Sequence, residues 1–343
     1  MTKSAVSSLK DLALKLGISV TTVSRVLNGK ARQFRISKET EKKVREAAKA
    51  MHYLPNQFAR GLKLDKSDTI GVIVPDISNP FFAEIVKNIE RESKNRGYAV
   101  FIGDSNDNTD QEIALVDHFT SRKVDGLIIA PVGISCKHLK NTFKSGMPLV
   151  VIDRSFSDVD FPVVTSDNYQ GAYDATNELL KNGHKNIALI QGLGNSQPNT
   201  DRVMGFVDAM KKWDIPQDSL TIVGNSFSIE NGFTQATKLL NSANPPTAIF
   251  ALSNLIALGA LKAVFDLGLS VPENVSLVSF DEQAYSAFLN TPMTTIEQNK
   301  EEMGLKAVDL LLTQIEGAVL QNGLILKIDT KLHLRKSIKL LNF

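Results

Sequence analysis

The sequence has few of the features that mark secreted, membrane or metal-binding proteins. Cys136 is its single cysteine, which excludes an internal disulfide and fits a reducing cytosol. No apolar run approaches the length of a membrane span and no signal-peptide pattern opens the chain, so we expect a cytoplasmic protein with no membrane partner. The five histidines are scattered without metal-ligand spacing. Neither a metal nor another cofactor is predicted.

Net charge is also low, at +2 for 343 residues, but it is unevenly distributed. Residues 1–66 contain fifteen Lys and Arg against five Asp and Glu, a net charge of +10, which leaves −8 on the rest of the chain. A basic segment favours phosphate backbones, whereas an acidic body is repelled by them. This asymmetry predicts a nucleic-acid-binding head on a body with another role.

The stretch from Leu9 to Asn28 predicts two short helices joined by a tight turn. Apolar residues recur at helical spacing on both sides of Gly17, which permits the left-handed backbone that ends a helix. Ser19 stands where the N-cap of the second helix belongs. Between the apolar positions of the second helix lie small polar side chains and one arginine, a slim polar face that suits insertion into a DNA major groove. An ordinary helical hairpin is the alternative. A third helix is predicted from Ser37 to about residue 52, after the basic loop GKARQFR.

Residues 55–68, PNQFARGLKLDKSD, fit either a flexible linker or a hinge helix that orders on DNA. VTTVSRVLNG, PNQFARGL and TIGVIVPDISNPFFAEI together resemble the lactose-repressor (LacI-type) family of bacterial transcription regulators, over essentially the whole chain. The resemblance implies a helix-turn-helix, a hinge helix and a two-lobed effector-binding core like the periplasmic sugar-binding proteins. Gly61 departs from the better helix formers usual there, and the loop GKARQFR looks longer and more basic than in the family.

The resemblance also implies roles for individual residues. Val20 and Thr21 fall at the variable base-reading positions, Arg25 at a near-invariant arginine, and Leu62 at the leucine that intercalates into the minor groove. The predicted DNA-binding residues are Ser19, Val20, Thr21, Thr22, Ser24, Arg25, Asn28, Arg35, Asn56, Arg60 and Leu62.

From Thr69 onward, short β-branched runs alternate with helical segments that end at glycine. This alternation predicts βαβ units and parallel sheets, in two series that form two lobes. We expect a helix-turn-helix domain over 1–54, a hinge over 55–67 and a core over 68–343. Within the core, the N-terminal lobe is predicted at about 68–164 plus 297–325, and the C-terminal lobe at about 165–296 plus 326–343.

Ligands of open parallel sheets bind beyond the carboxyl ends of the strands, so we expect a site between the lobes. Aromatic, carboxylate and arginine side chains at these ends suit a polyhydroxylated ligand. Phe81 and Phe82 could instead be core residues, and Asp153 could simply cap a helix. The predicted effector-binding residues are Asn79, Phe81, Phe82, Asp153, Arg202, Phe227, Asn254, Asp281 and Lys300.

The ligand class stays open at this point. Ser253–Asn254 stands where the family usually has Asn-Asp, and the loss of that carboxylate, with Arg202 and Lys300, suggests a less negative pocket. A phosphorylated or acidic sugar, a neutral sugar, and a purine or other metabolite are therefore all candidates.

Enzymatic activity is not predicted. Gly192-Leu193-Gly194 follows a strand, but Gln197 occupies the position of the third glycine of a dinucleotide fingerprint, and no P-loop or nucleophile elbow is present. We expect a homodimer that binds a pseudo-palindromic double-stranded DNA operator near carbohydrate genes as a repressor and is switched by a sugar or sugar phosphate. The alternative is a corepressor-type regulator that responds to a non-sugar metabolite such as a purine.

Overall fold

The computed structural model describes residues 8–51, 53, 66–133, 135–156 and 159–341. The chain forms two compact units, Met1–Ser67 and Asp68–Phe343. Among the described residues, no helix is long and apolar enough to cross a membrane. The predicted hinge lies outside the described residues except for 66 and 67, and so do three predicted DNA contacts, Asn56, Arg60 and Leu62.

Among its described residues, the first unit contains three short helices, each started by a serine that accepts a hydrogen bond from a backbone N–H of the first turn. Ser8 forms a capping box with Asp11, while Ser19 and Ser37 cap the second and third helices, as predicted for both. Gly17 ends the first helix at φ 63°, in the predicted left-handed conformation. The helices are α1 (Leu9–Leu16), α2 (Val20–Leu27) and α3 (Lys38–Ala50).

A small apolar core holds these helices together. Leu12, Val23, Val26 and Val44 are fully buried in it, one or two from each helix. Ala31, from the loop between α2 and α3, is also buried there at 2% exposure. The apolar stripe of α2 therefore faces inward, which leaves its polar face in solvent.

The N-terminal lobe of the second unit has a six-stranded sheet in which all pairings are parallel. Its strand order is β11-β5-β4-β3-β1-β2. The strands are β1 (Thr69–Val74), β2 (Ala99–Asp104), β3 (Gly126–Ile129), β4 (Leu149–Ile152), β5 (Val163–Ser166) and β11 (Ile325–Ile328). The helices of this lobe are α4 (Pro80–Asn95), α5 (Thr109–Ser121), α6 (Lys137–Lys144) and α11 (Lys300–Ile315). β1, β3, β4 and β5 are buried along their whole length, which explains their continuous β-branched runs.

The C-terminal lobe has a second six-stranded sheet, ordered β12-β10-β9-β8-β6-β7, in which β12 alone pairs antiparallel. Its strands are β6 (Ile187–Ile190), β7 (Thr221–Val223), β8 (Ala248–Ala251), β9 (Ser276–Phe280), β10 (Thr294–Gln298) and β12 (Thr330–His333). Its helices are α7 (Asn168–Lys181), α8 (Gln197–Lys212), α9 (Ile229–Leu240) and α10 (Asn254–Asp266), with a 3₁₀ turn at Gln217–Ser219.

The chain crosses between the lobes after β5, after β10 and between β11 and β12. The boundaries predicted at 164, 296 and 325 fall inside β5, β10 and β11. Strand pairing keeps each of these strands whole within one sheet, so the crossings lie two or three residues later than predicted.

Candidate functional sites: an exposed helix face and a cleft between two lobes

The outer face of α2 carries the predicted DNA-reading side chains. Val20, Thr21 and Asn28 are exposed, as are Ser19 and Arg35, and the side chains of Thr22, Ser24 and Arg25 are half-buried. This face has no acidic residue. It therefore offers small polar side chains and one guanidinium at a basic surface, a combination suited to a major groove.

Several of these polar groups also have a structural role. The Ser19 hydroxyl accepts a hydrogen bond from Thr22 N at 3.0 Å and lies 2.8 Å from the Thr22 hydroxyl. Asn28 Nδ2 donates to the Ser24 hydroxyl at 3.2 Å. Val20 and Thr21 make none of these bonds, so their side chains are the most available for contacts with bases.

Arg25 lies over the ring of Phe34, with its Cζ 3.8 Å from the ring centroid. Phe34 belongs to the loop between α2 and α3, and 41% of its surface is exposed. Sequence reasoning noted the basic character of this loop but missed the aromatic contact, because nothing in the local pattern fixes the loop conformation.

The second candidate site is a cleft of about 240 Å³ between the lobes of the core. It opens where strands of both sheets end, as expected for parallel sheets. Its lining includes eight of the nine predicted effector residues: Asn79, Phe81, Phe82, Asp153, Arg202, Phe227, Asn254 and Asp281. The other lining residues are Asp76, Asp107, Arg154, Pro198, Ser228, Ser253, Leu255 and Gln298.

Arg202 is fixed in the wall of the cleft. Its Nε donates to Asn168 Oδ1 at 2.8 Å, its Nη1 donates to the Leu252 carbonyl at 2.7 Å, and its Cζ lies 3.8 Å from the centroid of Phe280. Burial lowers the pKa of Arg202, and the nearby carboxylates of Asp281 and Asp153 oppose that shift. Because arginine starts from so high a pKa, the guanidinium stays charged.

Asp153 and Asp281 end strands of different lobes and share an unusual backbone. Their φ angles are 62° and 73°, a left-handed conformation that costs a non-glycine residue free energy. Burial raises the pKa of Asp153, the Arg202 and Arg154 guanidinium groups oppose the rise, and Asp281 adds to it. Asp281 Oδ1 accepts a hydrogen bond from Gln298 Nε2 at 2.5 Å. The strained backbone at both positions turns these carboxyl groups into the cleft lining.

Asn79 and Asn254 connect the lobes. Asn254 Nδ2 donates to Asn79 Oδ1 at 3.3 Å, and Asn79 Oδ1 also accepts from Phe81 N as the N-cap of α4. Two other buried acceptors of the lining, Asn254 Oδ1 and Gln298 Oε1, have no hydrogen-bond partner in the part of the chain that the structure describes. Buried unpaired acceptors are costly, so these two oxygens mark positions where a ligand can donate.

Aromatic rings flank these polar groups. Phe81 and Phe82 are both more than nine-tenths buried and form an edge-to-face pair with ring centroids 5.0 Å apart. Phe227 packs over Gly192, where an added Cβ would lie 2.2 Å from its ring. Gly192 therefore makes room for an aromatic side chain, consistent with the incomplete dinucleotide fingerprint.

A second cavity, of about 250 Å³, lies in the N-terminal lobe beside the residues that precede β4 and β5, Pro148 and Pro162. Its lining contains one charged residue, Asp160, whereas the interlobe cleft gathers four carboxyl groups and two guanidinium groups. The concentration of charged and unpaired polar groups makes the interlobe cleft the stronger candidate.

Comparison with known proteins identifies the family. The family model described as bacterial regulatory proteins, lacI family, matches residues 8–56, and the model described as periplasmic binding proteins and sugar binding domain of LacI family matches residues 67–333. The chain belongs to the LacI family. It is a DNA-binding transcriptional regulator with a helix-turn-helix head and a two-lobed core.

The relatives of this LacI-family chain match it nearly end to end. The HTH-type transcriptional repressor CytR of Escherichia coli (strain K12) is 36% identical, covering 98% of this chain and 97% of its own length. The HTH-type transcriptional repressor PurR of Histophilus somni (strain 129Pt) is 34% identical over 98% of this chain and 100% of its own length.

Two solved structures of LacI-family regulators have the same fold as this chain. The lac repressor dimer bound to operator and the anti-inducer ONPF has a TM-score of 0.87 at 26% identity, covering 97% of this chain and 99% of its own. A LacI family transcriptional regulator from Enterococcus faecium with bound ribose has a TM-score of 0.72 at 31% identity, covering 80% and 100%.

Lys300 is the one predicted effector residue of this LacI-family chain that the structure places away from the cleft lining. It is the first residue of α11, its Nζ lies 2.9 Å from Glu84 Oε2 on α4, and it donates to the Glu282 carbonyl at 3.1 Å. The start of α11 faces α4 and the chain after β9, so the Lys300 charge is already paired. Lys300 therefore does not make the cleft less negative, contrary to the expectation from the sequence.

The residues that sequence reasoning missed follow the same strand-end rule as those it found. Asp76 follows β1 and Asp107 follows β2. Arg154 Nη2 lies 3.5 Å from Asp107 Oδ1, so one of the two cationic groups of the cleft is paired with a carboxylate. The positive φ of Asp107, 49°, marks a turn, and an SND sequence after a strand could have indicated it.

Proposed function

We propose that this LacI-family regulator is a repressor that binds a palindromic operator as a homodimer and is switched by a small effector in the interlobe cleft. The names of the relatives, both transcriptional repressors, support the repressor role. Two-fold symmetry of the protein would match two half-sites on the DNA. The regulator acts in the cytoplasm, and its partners are the operator, the effector and a second copy of the chain.

We further propose that the effector is neutral and rich in hydrogen-bond donors, as a sugar or the sugar part of a nucleoside is. The observation that carries this is the pair of unpartnered acceptors, Asn254 Oδ1 and Gln298 Oε1, in a lining that also contains four aspartates. Hydroxyl groups can donate to all of these oxygens, whereas a phosphate can donate little and would be repelled by the carboxylates.

The two arginines of the cleft do not reverse this preference. Two donor nitrogens of Arg202 are bonded to Asn168 and Leu252, and Arg154 is engaged by Asp107 and by the Pro131 carbonyl. Only the donors that these contacts leave over could bind an anionic sugar phosphate, against the repulsion of four aspartates in the same lining. Of the classes left open by the sequence, the neutral ligand is therefore favoured over the phosphorylated or acidic one.

A thermal-shift panel tests the ligand class. Neutral pentoses and hexoses, their phosphates, nucleosides and purine bases are each added to the full-length protein at matched concentrations. We expect at least one neutral, hydroxyl-rich compound to raise the unfolding temperature by stabilising the folded state through mass action. Stabilisation by sugar phosphates alone would overturn the proposal, and stabilisation by a free purine base alone would favour the non-sugar alternative.

A further inference from the structure

The loop between α2 and α3 is hydrogen-bonded to α2 and packed into the core of the head. Lys30 N donates to the Arg25 carbonyl at 2.9 Å, and Ile36 N donates to the Ala31 carbonyl at 2.9 Å. Ala31 is buried in the head core at 2% exposure, and Gly29 takes the left-handed conformation, at φ 70°, that turns the chain after α2. The loop is thus bonded to α2 at its start, closed on itself between Ala31 and Ile36, and packed against the core through both residues.

Phe34 is placed by this loop but is not part of the head core. Its backbone N–H donates to the Lys30 carbonyl at 3.2 Å, and its ring is absent from the cluster of apolar side chains that the three helices share. An exposed phenyl ring gains little from burial, so packing of the core does not explain it. Its one ring contact among the described residues is with the Arg25 guanidinium, at 3.8 Å.

This geometry leaves the reading atoms of Arg25 available. A guanidinium that stacks on a ring uses its flat face, while its five N–H donors point outward in its own plane. Within the described part of the chain, the Arg25 side chain has no hydrogen-bond or ion-pair partner. A bidentate contact with the O6 and N7 of a guanine requires two of those in-plane donors.

We propose that Phe34 is a positioning residue for base recognition: it holds the Arg25 guanidinium by its face, so that the in-plane donors are aimed at a guanine edge. The inference rests on the proposed operator binding. Phe34 restricts a long side chain that would otherwise have to be ordered when DNA binds. Phe34 therefore affects how well the protein discriminates between DNA sequences. It does not affect attraction to phosphates, because that attraction depends on charge.

The test uses the full-length protein and a duplex that the wild-type protein selects from a random library. Dissociation constants are measured for that duplex and for a scrambled duplex with F34L, F34Y, R25A and R25A/F34L. Gln33→Ala, a change at an exposed neighbour in the same loop, is the matched control. Thermal unfolding of each variant checks that the head is folded.

We expect F34L to weaken binding to the selected duplex by about threefold to tenfold and to leave binding to the scrambled duplex unchanged. F34Y and Q33A should stay within about twofold of wild type, since tyrosine keeps the aromatic face. In the R25A background, F34L should have no further effect, because its role is exercised through Arg25.

Three results would overturn the proposal: F34L behaving like wild type on the selected duplex, F34L weakening both duplexes equally, or F34L and R25A having additive effects. A wild-type protein that selects no sequence at all would instead overturn the proposed operator binding, and the role of Phe34 with it.

Discussion

Asn254 of the C-terminal lobe donates a hydrogen bond to Asn79 of the N-terminal lobe across the cleft, with Nδ2 and Oδ1 3.3 Å apart. Asn79 Oδ1 also caps α4 through Phe81 N, which fixes the orientation of the Asn79 amide. Because the two residues belong to different lobes, their contact depends on how closely the lobes approach. A ligand that contacts either side chain can therefore change how closely the two lobes approach each other.

Asn254→Ala should lower affinity for the effector by about fivefold to twentyfold, since it removes both the bridge and an unpaired acceptor. The dissociation constant is measured by calorimetric titration with the compound that stabilises the protein in the thermal-shift panel. Asn79→Ser is the matched variant, because serine still caps α4 but is too short to bridge the cleft. Equal affinity in N254A and wild type would show that the amide does not contact the ligand.

Lys300→Gln should lower the free energy of unfolding of the core by about 1–3 kcal/mol, because it leaves the Glu282 carbonyl and Glu84 without their cationic partner. The preference between neutral and phosphorylated ligands should not change, because Lys300 lies outside the cleft lining. Urea unfolding and ligand titration measure the two effects.

Lys262→Gln is the control for that experiment. Lys262 pairs with Asp266 at 2.6 Å on an exposed face of α10, so its loss should cost no more than about 0.5 kcal/mol. A K300Q protein as stable as K262Q, or one with an altered preference for phosphates, would contradict the structural placement of Lys300.

His184 ties the end of the described chain to the C-terminal lobe, through Nε2 to the Lys339 carbonyl at 3.0 Å and Nδ1 to the Thr247 hydroxyl at 2.9 Å. Burial lowers the pKa of His184 below the ordinary value of 6.5, and the bond to Lys339 opposes that shift. The unfolded chain therefore binds a proton at a higher pH than the folded chain does.

The contribution of His184 to the free energy of unfolding is fully present above pH 6.5. It is lost as the pH falls from 6.5 toward the lowered pKa of the folded state. The slope for one proton is at most about 1.4 kcal/mol per pH unit. His184→Gln should remove this contribution to the slope. Urea unfolding followed by the fluorescence of Trp213, the single tryptophan, measures it in this lobe. An identical pH dependence in H184Q and wild type would refute the assignment.

Much of the architecture could be predicted because its causes are local. Continuous β-branched runs indicated buried parallel strands, and serines before apolar stripes indicated helix starts. The rule that ligands bind beyond strand ends placed Asp153 and Asp281 on one cleft although they are far apart in sequence, and the family resemblance added Arg202, which lies within α8.

The rest depended on side-chain direction and loop conformation, which sequence spacing does not fix. Lys300 is close in sequence to Gln298, yet Gln298 lines the cleft and Lys300 turns to Glu84. Phe34 reaches Arg25 because hydrogen bonds shape a loop that has no periodic pattern. Both outcomes follow from contacts between elements and could not be derived from either element alone.

Genomic footprinting of the purified full-length protein, with and without the stabilising compound, tests most directly whether the cleft controls the head. We predict a short palindromic site that is protected by the free protein and released when a neutral, hydroxyl-rich effector is added, through a coupling of about 1–3 kcal/mol between the two sites. Protection that appears only with the compound would reverse the sign of regulation. The absence of a discrete protected site under every condition would contradict the account.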